Sequence, residues 1–170
     1  MTTLIVSDPW DIHARAVAWA LEQEGETAHV WYTHDFPQKH GASLRVDSGD
    51  ANADAAQVTL YCARHRRDFD SRDIDTVWLR RWYQPQASPE LHPADVRFAQ
   101  TEANEFIRAT VGLLDESPRF WINPVAAKAR ADRKAAQLKV AADVGLSVPS
   151  TLISNDPEEA VGPPAPSKHS

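Results

Sequence analysis

A chain of 170 residues has room for one ordinary domain of roughly 100–150 residues and a short extension, and not for two full domains. Hydrophobic residues make up 42% and charged residues 25%, an ordinary globular balance that excludes a disordered chain. The formal charge of -6 and the pI near 5.6 argue against general nucleic-acid binding, which needs a basic face.

Thr3–Val6 is β-prone and ends at Ser7-Asp8-Pro9, where a carboxylate followed by proline predicts a helix cap and start. From Asp11 to Glu24, Ile12, Ala16 and Trp19 recur at helical spacing, which predicts one core-facing stripe; Gly25 stops the pattern. Ala28–Tyr32 completes a βαβ unit and runs into Asp35-Phe36-Pro37. Ser43–Val46 and Val58–Cys62 read as hairpin partners, separated by a polar loop from Asp47 to Ala55. Asp47, Asp50, Asn52 and Asp54 make that loop oxygen-rich, but it lacks the glycine and terminal glutamate of an EF-hand. The basic run Arg64 to Arg67 is followed by Asp68, Asp70 and Asp73, so it reads as a solvated turn.

Asp75–Trp82 reads as a strand buried in a parallel sheet, with Arg80, Arg81 and Trp82 emerging at its carboxyl end. Ala94–Glu116 is the most regular helix, with Val96, Ala99, Ala103, Phe106, Thr110 and Leu113 on one face. Phe120–Ile122 is a short strand, broken by Asn123-Pro124. One long helix is predicted over Ala126–Val144, with Ala127, Ala131, Ala135, Leu138 and Ala142 on one face and Gly145 as its left-handed stop. Val148–Ile153 should be extended, and Asn155-Asp156-Pro157 with Glu158 and Glu159 has the cap, proline and acidic turn of a helix start. The proline-rich stretch after Gly162 cannot continue that helix and reads as a disordered tail.

Motifs that would carry chemistry are sparse. No G-x-x-x-x-G-K-[ST] or G-x-G-x-x-G loop occurs, which excludes nucleotide binding of those kinds. No histidine pair has zinc-ligand helical spacing, and His13 reads as a solvent or capping residue, so no metal site is assigned. Cys62 is the only cysteine and lies in an apolar strand, which suits a small buried thiol and a reducing compartment. No signal peptide is visible, and no apolar run approaches the ~20 residues that span a bilayer, so a cytoplasmic protein is expected. The one candidate site is Arg80, Arg81 and Trp82, because open α/β sheets place ligands beyond the carboxyl ends of their strands. Two guanidiniums there could clamp a carboxylate or phosphate; equally, they could pair with neighbouring acidic residues and cover the sheet edge with their stems. The basic residues Lys128, Arg130, Arg133, Lys134 and Lys139 read as a solvated face.

The ordered series of motifs resembles the ATP-grasp maturases of microviridin-type peptides, the graspetide synthetases with an MvdD-like pre-ATP-grasp domain. The carriers are Asp11-x-His13-Ala14, Asp35-Phe36-Pro37, Val77-Trp78-x-Arg80-Arg81, the helix around Glu102 and Trp121-Ile122-Asn123-Pro124. They continue through Lys134, Gln137-Leu138, Gly145-Leu146-x-Val148-Pro149 and Thr151 to Pro157, so the likeness runs from about residue 3 to residue 160. The resemblance implies a Rossmann-like pre-ATP-grasp α/β domain, mostly parallel and flanked by helices, over residues 1–122. Residues 123–160 would be a linker helix and the first elements of an ATP-grasp domain, and residues 161–170 the tail.

It also implies a ligase that uses ATP and magnesium to activate a carboxylate of a ribosomally made precursor peptide for attack by an amine or hydroxyl. The precursor peptide and a second copy or a full-length synthetase are the implied partners. In the family, the adenine-clamping lysines, metal-binding acidic residues and peptide-gripping elements lie mostly beyond the position matching Glu159. The expectation is therefore a chain inactive alone, with no cofactor of its own. A stand-alone module that binds a precursor peptide or partner synthetase, and an unrelated anion-binding protein using Arg80 and Arg81, are the alternatives.

Overall fold

The computed structural model describes residues 1–46, 56–62, 67–116 and 119–161. The expected oxygen-rich loop, the start of the basic run and the proline-rich tail lie outside these residues, as does the Cys62 side chain. Contacts divide the chain into two compact units, Met1–Val125 and Ala126–Ser170.

The first unit is built on a four-stranded, all-parallel sheet in the order β2-β1-β6-β7. Its strands are β1 (Thr2–Ser7), β2 (Thr27–Tyr32), β6 (Thr76–Leu79) and β7 (Phe120–Ile122). Alternation along β1 sends Leu4 and Val6 to one face and Ile5 to the other, and all three are fully buried. Helix α1 (Ile12–Gln23) covers the Ile5 face; helix α2 (Val96–Asp115) covers the opposite one through Ile107, Val111 and Leu114. A second, antiparallel sheet packs into that same core with Val58, Leu60 and Phe69. It comprises β3 (His40–Val46), β4 (Ala56–Cys62) and β5 (Arg67–Asp70). Phe36, from the Asp35-Phe36-Pro37 turn, stacks on Phe106 of α2 at 5.7 Å and meets Trp31 edge-on at 6.1 Å, joining β2, its loop and α2.

Four expectations need correction. Asp8 does not cap α1: Asp8-Pro9-Trp10 forms a turn in which Asp8 Oδ1 accepts the Trp10 amide at 2.8 Å, and Asp11 is the cap. The stripe containing Ile12 and Trp19 faces outward, at 69% and 62% exposure. Small side chains let the helix approach the sheet closely, so Ala14 and Ala18 supply the buried face instead. Arg67 to Asp70 is not a turn but strand β5, paired antiparallel to β4 with Leu60 opposite Phe69. The burial of Phe69, stacked 4.3 Å from His29, outweighs the polarity of its neighbours.

The fourth correction concerns the second unit. The single helix expected over 126–144 is broken into α3 (Val125–Ala131) and α4 (Lys134–Asp143). Arg133 adopts an extended conformation, the Gln137 side-chain amide donates to the freed Ala131 carbonyl, and Lys128 pairs with Asp132 at 2.7 Å. Neither helix buries a residue, so the anticipated alanine face packs no core. Gly145 ends α4 at φ 82, as its position predicts. Val148–Ile153 joins no sheet, whereas α5 (Pro157–Val161) starts as expected, with Asp156 Oδ1 accepting the Glu158 amide at 2.9 Å. Among the described residues, no helix is long and apolar enough to cross a membrane.

Removing core volume and removing exposed surface should therefore differ sharply. In urea unfolding, Ile107→Ala should cost about 2–5 kcal/mol, whereas Trp19→Ala should change stability by no more than about 0.5 kcal/mol. A large loss on Trp19→Ala would restore the inward stripe. Residues 150–156, exposed and outside any ladder, should exchange amide hydrogens much faster than residues 103–114 of α2; equal protection by mass-spectrometric exchange would show that they are anchored.

Candidate functional site

Strand order creates the site. The connection leaving β1 runs through α1 to β2 on one side, while that leaving β6 runs through α2 to β7 on the other. The two loops diverge beyond the carboxyl ends of β1 and β6, the topological switch point at which open α/β sheets take ligands. Ser7 ends β1, Asp8, Trp10 and Asp11 come from the first loop, and Arg80, Arg81 and Tyr83 come from the second.

Backbone pairing fixes the second loop. The amides of Arg80 and Arg81 both donate to the Val6 carbonyl, at 3.0 and 3.1 Å, which holds two successive guanidiniums beside the end of β1. Asp11, only 5% exposed, receives them. Its Oδ1 accepts the His13 and Ala14 amides at 3.0 and 3.3 Å and so caps α1. Its Oδ2 accepts the Ser7 hydroxyl at 3.1 Å and lies 3.4 Å from Nε of both Arg80 and Arg81. Burial alone would raise the Asp11 pKa, but the Ala14 amide, the Ser7 hydroxyl, Arg80 and the His13 amide together outweigh it and hold the carboxyl below its ordinary value.

The rim is aromatic. Arg81 Nη1 donates to the Tyr83 hydroxyl at 2.9 Å, and the Tyr83 amide donates to Thr33 Oγ1 at 3.0 Å. Trp10, 67% exposed, meets the His34 ring edge-on at 4.6 Å.

Of the three residues singled out from sequence, Arg80 and Arg81 converge and Trp82 does not join them. Its Nε1 donates to Asn104 of α2 at 3.0 Å, Arg108 lies over its ring at 5.7 Å, and the ring packs on the core. Asp8 and Asp11 were not singled out as site residues. Their signal was present in the Asp-Pro turn and in the carboxylate three residues before Ala14, but sequence spacing does not show that residues seventy positions apart meet. His13 is exposed and contributes its amide to the cap. Among the described residues, no group of three or more His, Cys, Asp or Glu is arranged to hold a metal ion.

Residues 3–129 match the family model described as the MvdD pre-ATP grasp domain. The chain belongs to this family. Solved structures agree with the assignment. Two macrocyclases from Microcystis aeruginosa MRC, MdnB and MdnC bound with precursor peptide MdnA, are each 25% identical to the chain, with TM-scores of 0.78 and 0.75. Each alignment covers 94% of this chain and 49% of the macrocyclase. A Chryseobacterium gregarium RiPP-associated ATP-grasp ligase, in complex with ADP and a leader and core peptide, is also 25% identical, with a TM-score of 0.73 and coverage of 94% and 46%. This chain thus spans about half the length of these enzymes. No functionally curated protein matches significantly. The pre-ATP-grasp assignment also accounts for the parallel sheet and its two flanking helices.

Asp11 supplies a pH test. A carboxyl whose folded pKa is depressed contributes stability that is complete above its ordinary pKa and lost as pH falls toward the folded value. Asp11→Asn should therefore flatten the decline in stability below about pH 4, measured by denaturant midpoints at several pH values. Asp11→Ala should cost about 0.5–2 kcal/mol at neutral pH through loss of the cap. An unchanged acid limb in Asp11→Asn would show that the carboxylate is not held by these partners.

Proposed function

We propose that this chain supplies the pre-ATP-grasp domain of an ATP-dependent carboxylate-amine or carboxylate-alcohol ligase that macrocyclises a ribosomally made precursor peptide. The supporting observation is the family match over residues 3–129 together with the likeness to peptide macrocyclases across 94% of the chain. In this reading residues 1–122 form the pre-ATP-grasp domain, and residues 123–160 lead into the ATP-grasp domain. In this reading ATP and magnesium act in the ligase as a whole. The chain's own contribution is positional. Arg80 and Arg81 present donors at the switch point toward the peptide, and Trp82 braces their loop against α2.

The protein works in the cytoplasm, consistent with a single cysteine and no apolar span. Exposed Ile12, Val17 and Trp19 on α1 favour a second reading, a module that pairs with another copy or with an intact synthetase.

A chimera separates the two. Residues 3–129 of this chain replace the matching portion of MdnC, and MdnA is assayed by mass spectrometry for the loss of one water per bond formed. The domain reading expects water loss with ATP and magnesium. A folded chimera that binds ATP but leaves MdnA intact, together with recovery of MdnC by this chain in a pull-down, would favour the stand-alone module.

A further inference from the structure

The loops that follow β2 and β6 enclose a pocket with α2. Pro37 from the first loop and Pro85 and Leu91 from the second line it together with Ala99 and Ala103 of the helix. Its volume is about 240 Å³ and its lining is almost entirely apolar, with no charged side chain among the described residues that form it. Pro37 and Leu91 are exposed, so the pocket is reached from solvent. Rigid parts hold it open. The Gln86 amide donates to the His34 carbonyl at 3.0 Å, and the Gln38 side-chain amide donates to the Gln86 carbonyl at 3.2 Å, which ties the two loops together. The prolines fix φ on both sides. Ala99 and Ala103 lie one turn apart on the helix face whose next turn sets Phe106 against the core, so two single methyl groups leave the room that larger side chains fill further along.

Size and charge together narrow the occupant. The volume is below the ~300 Å³ at which pockets for cofactors and drug-sized ligands begin, and above the ~150 Å³ of an apolar cavity that takes up benzene. One side chain of leucine or phenylalanine size fits; a nucleotide does not. With no charged group in its wall, the pocket has nothing to offset the desolvation of a lysine, arginine, aspartate or glutamate. Water inside it meets carbon on most sides, so an apolar group that displaces that water gains affinity. The polar residues of the lining, Gln38, Gln86, Gln100 and Ser88, are neutral and can both donate and accept, which suits the main chain on either side of a seated side chain. One such side chain buries about 150–250 Å², far short of the ~800 Å² per partner of a stable protein interface. The pocket therefore suits one residue of a flexible peptide better than a second folded copy.

Resting on the reading that this domain meets a peptide, we propose that the pocket between Pro37, Pro85, Leu91 and α2 seats one uncharged apolar side chain of that peptide, of leucine to phenylalanine size. The loop that forms its second wall is the one that begins with Arg80, Arg81 and Tyr83, so the pocket and the switch point lie on one continuous segment. The arginines then offer hydrogen bonds, and the pocket sets a residue preference by size and absence of charge.

The test is an NMR titration of the 170-residue chain, following the methyl signals of Leu91, Ala99 and Ala103. The probes are acetyl-Gly-Leu-Gly-amide, acetyl-Gly-Lys-Gly-amide and acetyl-Gly-Gly-Gly-amide. The leucine probe should move all three signals and bind roughly tenfold or more tightly than the other two, the effect of burying one aliphatic side chain. Ala103→Leu, checked for folding by its thermal melt, fills the pocket and should abolish the shifts at Leu91 and Ala99. Leu91→Ala lies on an exposed loop, removes one wall without touching the core, and should weaken the leucine probe by roughly threefold or more. Equal binding of the three probes, no movement with any of them, or undiminished binding by the folded variants would overturn the proposal. Methyl shifts produced by raising the protein concentration alone, with a dimer in sedimentation, would overturn it in favour of a second copy. Each of these results leaves the MdnC chimera free to succeed, so the pocket and the ligase assignment fail separately.

Discussion

Strand β1 lies at the centre of the first unit and has no free side. Both of its edges are taken by parallel neighbours, with Leu4 opposite His29 in β2 and Val77 in β6, and both of its faces are buried. Its backbone donors and acceptors can be satisfied only if β2 and β6 are both in register, and its side chains only if α1 and α2 cover opposite faces. The sheet, the two helix layers and the switch point all follow from that double requirement. The chain must leave β1 in one direction and β6 in the other, so the two loops diverge where the strands end.

Asp11 translates this architecture into a local arrangement. One carboxylate caps α1, binds the last residue of β1 and holds two consecutive arginines from the loop that follows β6. Helix start, strand end and the distant loop are thereby fixed by one side chain, and the Val6 carbonyl reinforces the joint from the backbone. Where the sequence left open a clamp for an anion or a set of structural ion pairs, the pairs to Asp11 are present, and they orient the arginines without spending most of their donors.

Much of this fold was legible in the sequence because it rests on local chemistry. Periodicity marked α2, the apolar run marked β6, and Gly25 and Gly145 marked the left-handed stops at φ 78 and 82. What was not legible depended on partners. The outward turn of Ile12 and Trp19 is decided by how closely Ala14 and Ala18 let α1 approach Ile5, a property of the pair of surfaces and not of the helix. Strand β5 was hidden because its charged residues flank a single buried phenylalanine. The break between α3 and α4 has no glycine or proline to announce it; a capping amide from Gln137 and an ion pair at Asp132 make it. In the site, the arginines were visible from their place after an apolar strand, whereas the buried carboxylates facing them required the sheet order.

The last strand of the parallel sheet shows how this architecture ends. An outer strand exposes a row of unpaired backbone groups on which another chain could build. Here β7 is three residues long, the backbone turns away at Asn123 with φ 62, and Pro124 has no N–H to offer. Its own Phe120 and Ile122 are exposed at 67% and 42%, a combination that would otherwise template aggregation. The Asn-Pro pair that closes the strand therefore also keeps a sticky edge too short to recruit a neighbour, so its loss would be felt in solubility before it was felt in stability.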